Sequence, residues 1–261
     1  MLGKLFKHEM KATARLLLPI YIVLAAFTIM DRIVISLDIF HGVFVIIPGF
    51  ITIGFVLSIA AIIIVSFVII IHRFYKNLIT DEGYLMFTLP VRTRELINSK
   101  LFAGVIWTIA SSLAAIAAIL IVVTARMDYH DFWSGFRIAC QQFNNELGGL
   151  GTLMIIEFIV LIIISVFNGV LMIYVSIAIG QLFNGHKIIG SFAAYIGISF
   201  AIQIITTVLM VVGGLAFETY FTEIGSLPHL VIPFYIVFMV ILTGLFYFGT
   251  DYIFKRKLNL E

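Results

Sequence analysis

The chain has 261 residues, 62% hydrophobic and only 11% charged, with a formal net charge of +2 and a mean hydropathy of +1.17. Soluble domains carry about 25% charged residues, so the composition excludes an ordinary water-soluble fold and points to the membrane. So small a net charge gives no reason to expect nucleic acid as a partner, and the single cysteine, Cys140, excludes an intrachain disulfide or a multi-cysteine metal cage.

The N-terminal stretch MLGKLFKHEMKATARLLL places Leu2, Leu5, Phe6 and Met10 on one helical face and Lys4, Lys7 and Lys11 largely on another. That pattern predicts an interfacial elbow helix feeding a first span. No small-residue cleavage site follows the apolar run, so the span is read as uncleaved. Six runs have the length and apolarity to cross a hydrocarbon core of about 30 Å. They cover residues 16–34, 43–71, 101–125, 150–183, 188–217 and 230–250.

The first run is broken near its outer end by Asp31 and Arg32, and the second is uncharged throughout and holds Pro48. The second is long enough that it should tilt or extend beyond the bilayer. Between the third and fourth runs, RMDYHDFWSGFRIACQQFNNELGG spaces Phe132, Phe136, Phe143 and Leu147 as a helix would, with Ala139 and Cys140 filling the gap. This predicts a short amphipathic helix at the outer interface, where Tyr129 and Trp133 suit the headgroup level. Ahead of the sixth run, FETYFTEIGSLPHLVIP holds Gly225, Pro228 and Pro233. Gly and Pro disfavour a straight helix, so a bent, partly re-entrant outer helix is expected there.

Barrel strands alternate polar and apolar residues over about ten positions, and these runs are solidly apolar. The expected fold is therefore an all-α membrane protein: six transmembrane helices, an N-terminal elbow, a helical cytoplasmic connection and short extracellular helices. They form one membrane domain over residues 1–261.

Orientation follows from Lys and Arg placement. Lys4, Lys7, Lys11 and Arg15 precede the first span, and Arg73, Lys76, Arg92, Arg94 and Lys100 lie between the second and third. Lys187 lies between the fourth and fifth, and Lys255, Arg256 and Lys257 follow the sixth. Only Arg32, Arg126 and Arg137 fall on the other side. This bias places both termini in the cytoplasm.

Catalytic signatures are lacking. The phosphate-cradling G-x-x-x-x-G-K-[ST] pattern does not occur, and His8-Glu9 has no second histidine to complete H-E-x-x-H. No nucleophilic serine stands in a Gly-x-Ser-x-Gly turn, and the six histidines are scattered near segment ends. No enzyme is expected. Glu157 is the acid set deepest in an apolar run, where a charge costs about 2.5–3.5 kcal/mol on insertion scales. It reads either as a substrate-path carboxylate or as a group solvated near the outer interface. Gln203, midway along the fifth run, reads either as part of a substrate path or as an interhelical hydrogen-bonding residue. Asp251 and Lys255 form an i,i+4 pair at the cytoplasmic end of the sixth run.

The connection between spans two and three contains TDEGYLMFTLPVRTRELI. Thr80 or Asp81 caps a short helix with Glu82 in its first turn, Pro90 stops it, and Thr93 caps the helix that continues into span three. That arrangement exposes Tyr84, Leu85, Met86, Phe87 and Leu89. An anionic membrane surface is one cover for such a knob; a groove on a soluble partner is the other.

The run FYKNLITDEGYLMFTLPVRTRELINSKL, Phe74 to Leu101, closely resembles the loop between spans two and three of bacterial ABC transporter permeases of the type-2, exporter class. The elbow, six spans and cytoplasmic termini match that layout across the whole chain. The resemblance implies that the segment over residues 74–100 holds a coupling helix that docks on a separate ATPase subunit. The contact would be carried by Glu82, Gly83, Tyr84, Leu85, Met86, Phe87 and Pro90. It implies ATP and magnesium on that partner and no cofactor here, a second permease chain (identical or not), and a bacterial plasma membrane setting. Permeases with this loop resemble peptide-resistance or immunity exporters. The competing expectation is a self-contained ion-coupled carrier or channel using Glu157.

Overall fold

The computed structural model describes residues 2–37, 46–79, 92–126, 129–146, 150–183, 185–220 and 227–256. Among them are seven α-helices, one 3-10 turn and no strand. The helices are α1 (Leu2–Leu37), α2 (Ile46–Ile79), α3 (Thr93–Val123), α4 (Tyr129–Glu146), α5 (Gly151–Gly180), α6 (Lys187–Tyr220) and α7 (Leu227–Arg256); the 3-10 turn is Thr124–Arg126. All but α4 are long and apolar enough to cross a membrane. Hydrocarbon offers the backbone no hydrogen-bond partners, so a spanning segment must satisfy its own N–H and C=O groups as a helix does. Large apolar side chains accordingly face outward, with Phe50 71% and Phe192 68% exposed. A water-soluble protein would bury them.

One sequence expectation changes. The elbow is not a separate helix, because α1 runs unbroken from Leu2 through Pro19 to Leu37. Glu9, Thr13, Leu17, Leu24, Thr28 and Asp31 are all buried at three-, four- or seven-residue spacing, so residues 2–15 extend the packing face of the span itself. Of the stretch expected to form a bent outer helix, residues 221–226 lie outside the described residues, and α7 is helical from Leu227 through Pro233. Among the described residues, α4 is the one short helix outside the spans.

The chain packs as two compact units, Met1–Arg73 with Asn98–Ile138, and Phe74–Ile97 with Ala139–Glu261. In the first, Leu24, Phe55, Ile62, Ala115 and Ala118 form an apolar cluster among α1, α2 and α3. Hydroxyls cross-link the same three helices. Ser66 donates to the Ile62 carbonyl at 2.6 Å, which makes its oxygen the acceptor for Ser111 at 2.7 Å, and Tyr21 then donates to Ser111 at 2.9 Å. In lipid such interhelical bonds replace hydrophobic contrast as the source of specificity.

In the second unit α5 packs against α6 and α7. Its C-terminal half is buried on nearly every side, from Asn168 and Val170 to Ala178 and Gly180. The turn into α6 places Gly185 at φ +93°, a left-handed conformation that suits glycine. Gly180 ends α5 directly against the first turn of α6; a Cβ there would lie 2.6 Å from Ser191 Cα. Because backbone cannot yield as a side chain can, Gly180→Ala is expected to cost about 1–3 kcal/mol by overpacking. Thermal unfolding in mild detergent checks this. Gly197→Ala, whose Cβ meets nothing within 4 Å, serves as the silent control.

Candidate functional site

In the first unit, three helix ends meet at a buried ion cluster. Glu9 of α1 accepts from Arg73 of α2 through Oε2, at 3.0 Å from Nε and 2.7 Å from Nη2. Its Oε1 accepts from Lys100 Nζ of α3 at 2.6 Å. Side-chain exposure is 6% for Glu9, 4% for Lys100 and 15% for Arg73. Removing ions from water costs several kcal/mol each, and only close, saturated geometry offsets that. Here both carboxylate oxygens are engaged, one by each cation.

Asp31, at the other end of the same bundle, is completely buried. Its Oδ1 accepts from the Thr52 hydroxyl at 2.7 Å, and Oδ2 has no hydrogen-bond partner among the described residues. The neighbouring Arg32 turns instead to the C-terminal end of α3, donating to the Ile121 carbonyl at 2.7 Å, where a cation complements the helix dipole. Glu9 and Asp31 are about 33 Å apart along α1 at 1.5 Å per residue. That separation is close to the thickness of a hydrocarbon core, about 30 Å.

The second unit carries its own ion cluster. Asp251 Oδ2 accepts from Lys255 Nζ at 2.7 Å and from Arg94 Nε at 3.0 Å. The Lys255 pair is the one expected from i,i+4 spacing; the Arg94 pair is not, because it joins residues 157 positions apart. In this unit Phe74, 1% exposed, stacks on Tyr174 with centroids 3.7 Å apart and meets Phe254 edge-on at 5.7 Å.

These side chains share one property. Arg73 and Phe74 lie on the last turns of α2, before residues 80–91, and Arg94 and Lys100 lie on the first turns of α3, after them. Both flanks of the α2–α3 connection are thus rooted in buried polar and aromatic contacts. The contact residues expected from the resemblance, Glu82, Gly83, Tyr84, Leu85, Met86, Phe87 and Pro90, lie outside the described residues.

Glu157 is half-buried on α5, about 9 Å from the helix start at Gly151. Gln203 is exposed on α6, beside a shallow surface depression of about 320 Å³ that it lines with Phe200, Ile204, Thr207 and Val208. Every lining residue belongs to α6, so the depression lies on the face of one helix. The interhelical hydrogen bond expected of Gln203 is absent among the described residues of this chain.

Glu9 and Asp31 were missed as buried functional groups. Their signal was the spacing of Glu9, Thr13, Leu17, Leu24, Thr28 and Asp31 along a single face of α1. No family model, curated relative or solved structure matches the chain.

Proposed function

We propose that the chain is the membrane-spanning permease subunit of an ATP-driven exporter. It would transmit work from a separate ATPase subunit through the α2–α3 connection, in a bacterial plasma membrane with both termini cytoplasmic. The observation that carries this reading is the double rooting of that connection. A force applied to residues 80–91 is delivered by Arg73 and Lys100 to Glu9 of α1 and by Arg94 to Asp251 of α7. A loop with no mechanical role needs neither set of contacts. ATP and magnesium belong to the partner, and this chain contributes a rigid-body switch of the kind transporters use.

The most apolar stretch of α6 buries none of its residues against its own chain and leaves Gln203 exposed. That supports a second permease chain as the other half of the working unit, because an amide in hydrocarbon gains from a helix partner. Buried Asp31 favours the second reading, an ion-coupled carrier, better than half-buried Glu157 does.

Co-purification with a soluble ATPase separates the two readings. Tyr84→Ala with Phe87→Ala is expected to abolish ATPase recruitment while the purified chain keeps its unfolding temperature. Undiminished recruitment by the double variant would remove the docking assignment.

A further inference from the structure

We infer that α4 is a membrane-surface helix immersed in a phospholipid headgroup layer by apolar burial alone, with Cys140 on its acyl-facing side. The inference stands on the six spans and is independent of the exporter reading.

Helical geometry puts Phe132, Trp133, Phe136, Ala139, Cys140 and Phe143 within about 120° of arc at 100° per residue. The opposite arc holds His130, Asp131, Ser134, Arg137, Gln141, Gln142 and Asn145, with Ile138 the one bulky apolar residue among them. The apolar arc is open: Trp133 is 49%, Phe136 55% and Phe143 41% exposed, and Cys140 is exposed too. Trp133 meets Phe132 and Phe136 edge to face, at 5.8 and 5.9 Å, so the aromatics form a continuous strip.

What covers the strip follows from where α4 is tethered. At no more than about 3.6 Å per residue, Tyr129 lies within about 11 Å of Arg126, which closes the turn ending α3. At the other end Gly151, the first residue of α5, lies so close to Asn144 that a Cβ would approach the Asn144 Cα to 2.8 Å. Both ends of α4 are therefore held at span ends, on the side of the membrane reached after three crossings. A helix pinned there meets lipid.

Charge selects the mode of binding. Surface helices that rely on anionic lipid present Lys and Arg on the polar face. Here the polar arc carries a single Arg, Arg137, and Asp131 offsets its charge. The helix enters by burying its aromatic strip and gains nothing from anionic headgroups.

Cys140 is the chain's only cysteine, so the test needs no added residue. The full chain is spin-labelled at Cys140, reconstituted in phosphatidylcholine vesicles, and its collision rates with oxygen and a water-soluble nickel chelate are compared. The expected result is oxygen access well above nickel access, placing the label about 5–10 Å below the headgroups. Cys140→Ser with Ser134→Cys moves the label to the polar arc and is expected to reverse the ratio. Replacing a third of the phosphatidylcholine with phosphatidylglycerol should leave the depth unchanged. Nickel access dominating at Cys140 would put the strip in water and overturn the inference. A label shielded from both reagents would show a protein cover and overturn it equally. Depth appearing only with anionic lipid would overturn burial as the sole driving force.

Discussion

Glu9→Ala is expected to be among the most damaging single substitutions in the first unit, costing about 3–5 kcal/mol. The carboxylate holds two cations, and its loss removes the charge that Lys100 and Arg73 share in their buried site. Lys100→Met is expected to cost less, since it leaves Glu9 and Arg73 as a neutral, doubly hydrogen-bonded pair. Replacing all three residues with apolar side chains of similar size should recover most of the loss, because a buried ion cluster is weak evidence of net stabilisation and strong evidence of mutual dependence. Thermal unfolding in mild detergent across the three variants and the parent reads this ranking directly. If Glu9→Ala unfolds at the parent temperature, the cluster is hydrated in its working environment and cannot transmit force from the connection.

Phe74→Ala should produce a comparable loss of about 3–5 kcal/mol, the usual range for truncating a buried aromatic. It removes the stack on Tyr174 and the edge contact with Phe254 together, from a site with almost no solvent exposure. Phe74→Leu restores volume without the ring geometry and should recover most of the deficit, leaving about 0.5–1.5 kcal/mol for the aromatic pairing. Hydrogen exchange resolves where the damage falls: faster exchange is expected at the C-terminal ends of α5 and α7, with the middle of α1 unchanged. Acceleration spread evenly over α1 and α5 would mean that Phe74 supports the whole chain and not the second unit.

The two variants probe the flank that precedes residues 80–91, one contact in each compact unit. Neither contact could be read from local pattern. Arg73 meets a carboxylate 64 positions away and Lys100 meets the same one from 91. In the sequence these cations count toward an orienting excess on one side and read as solvated charges. Glu9 entered only as part of a metal motif that fails. The comparison of acids is equally instructive. Glu157 stands out in the sequence because its apolar surroundings are long, whereas Asp31 sits beside Arg32 and looks like the frayed end of a span. Folding reverses their standing, because Asp31 falls on the α1 face that packs against α2, where Thr52 meets it.

The amino-acid sequence by itself determined the class and count of elements: six apolar helices and the amphipathic α4. The reason is that bilayer thickness sets span length and the unhydrated backbone dictates helix. It also determined the Asp251–Lys255 pair, since one helical turn places i and i+4 together. The tertiary structure alone decided that residues 2–15 continue the first span, that Pro233 lies inside a helix, and that Glu9, Asp31 and Asp251 are the buried acids. Each of these depends on which helix faces which. In lipid that choice rests on a few polar contacts and close approaches between residues far apart in the chain, and uniformly apolar stretches carry little trace of them.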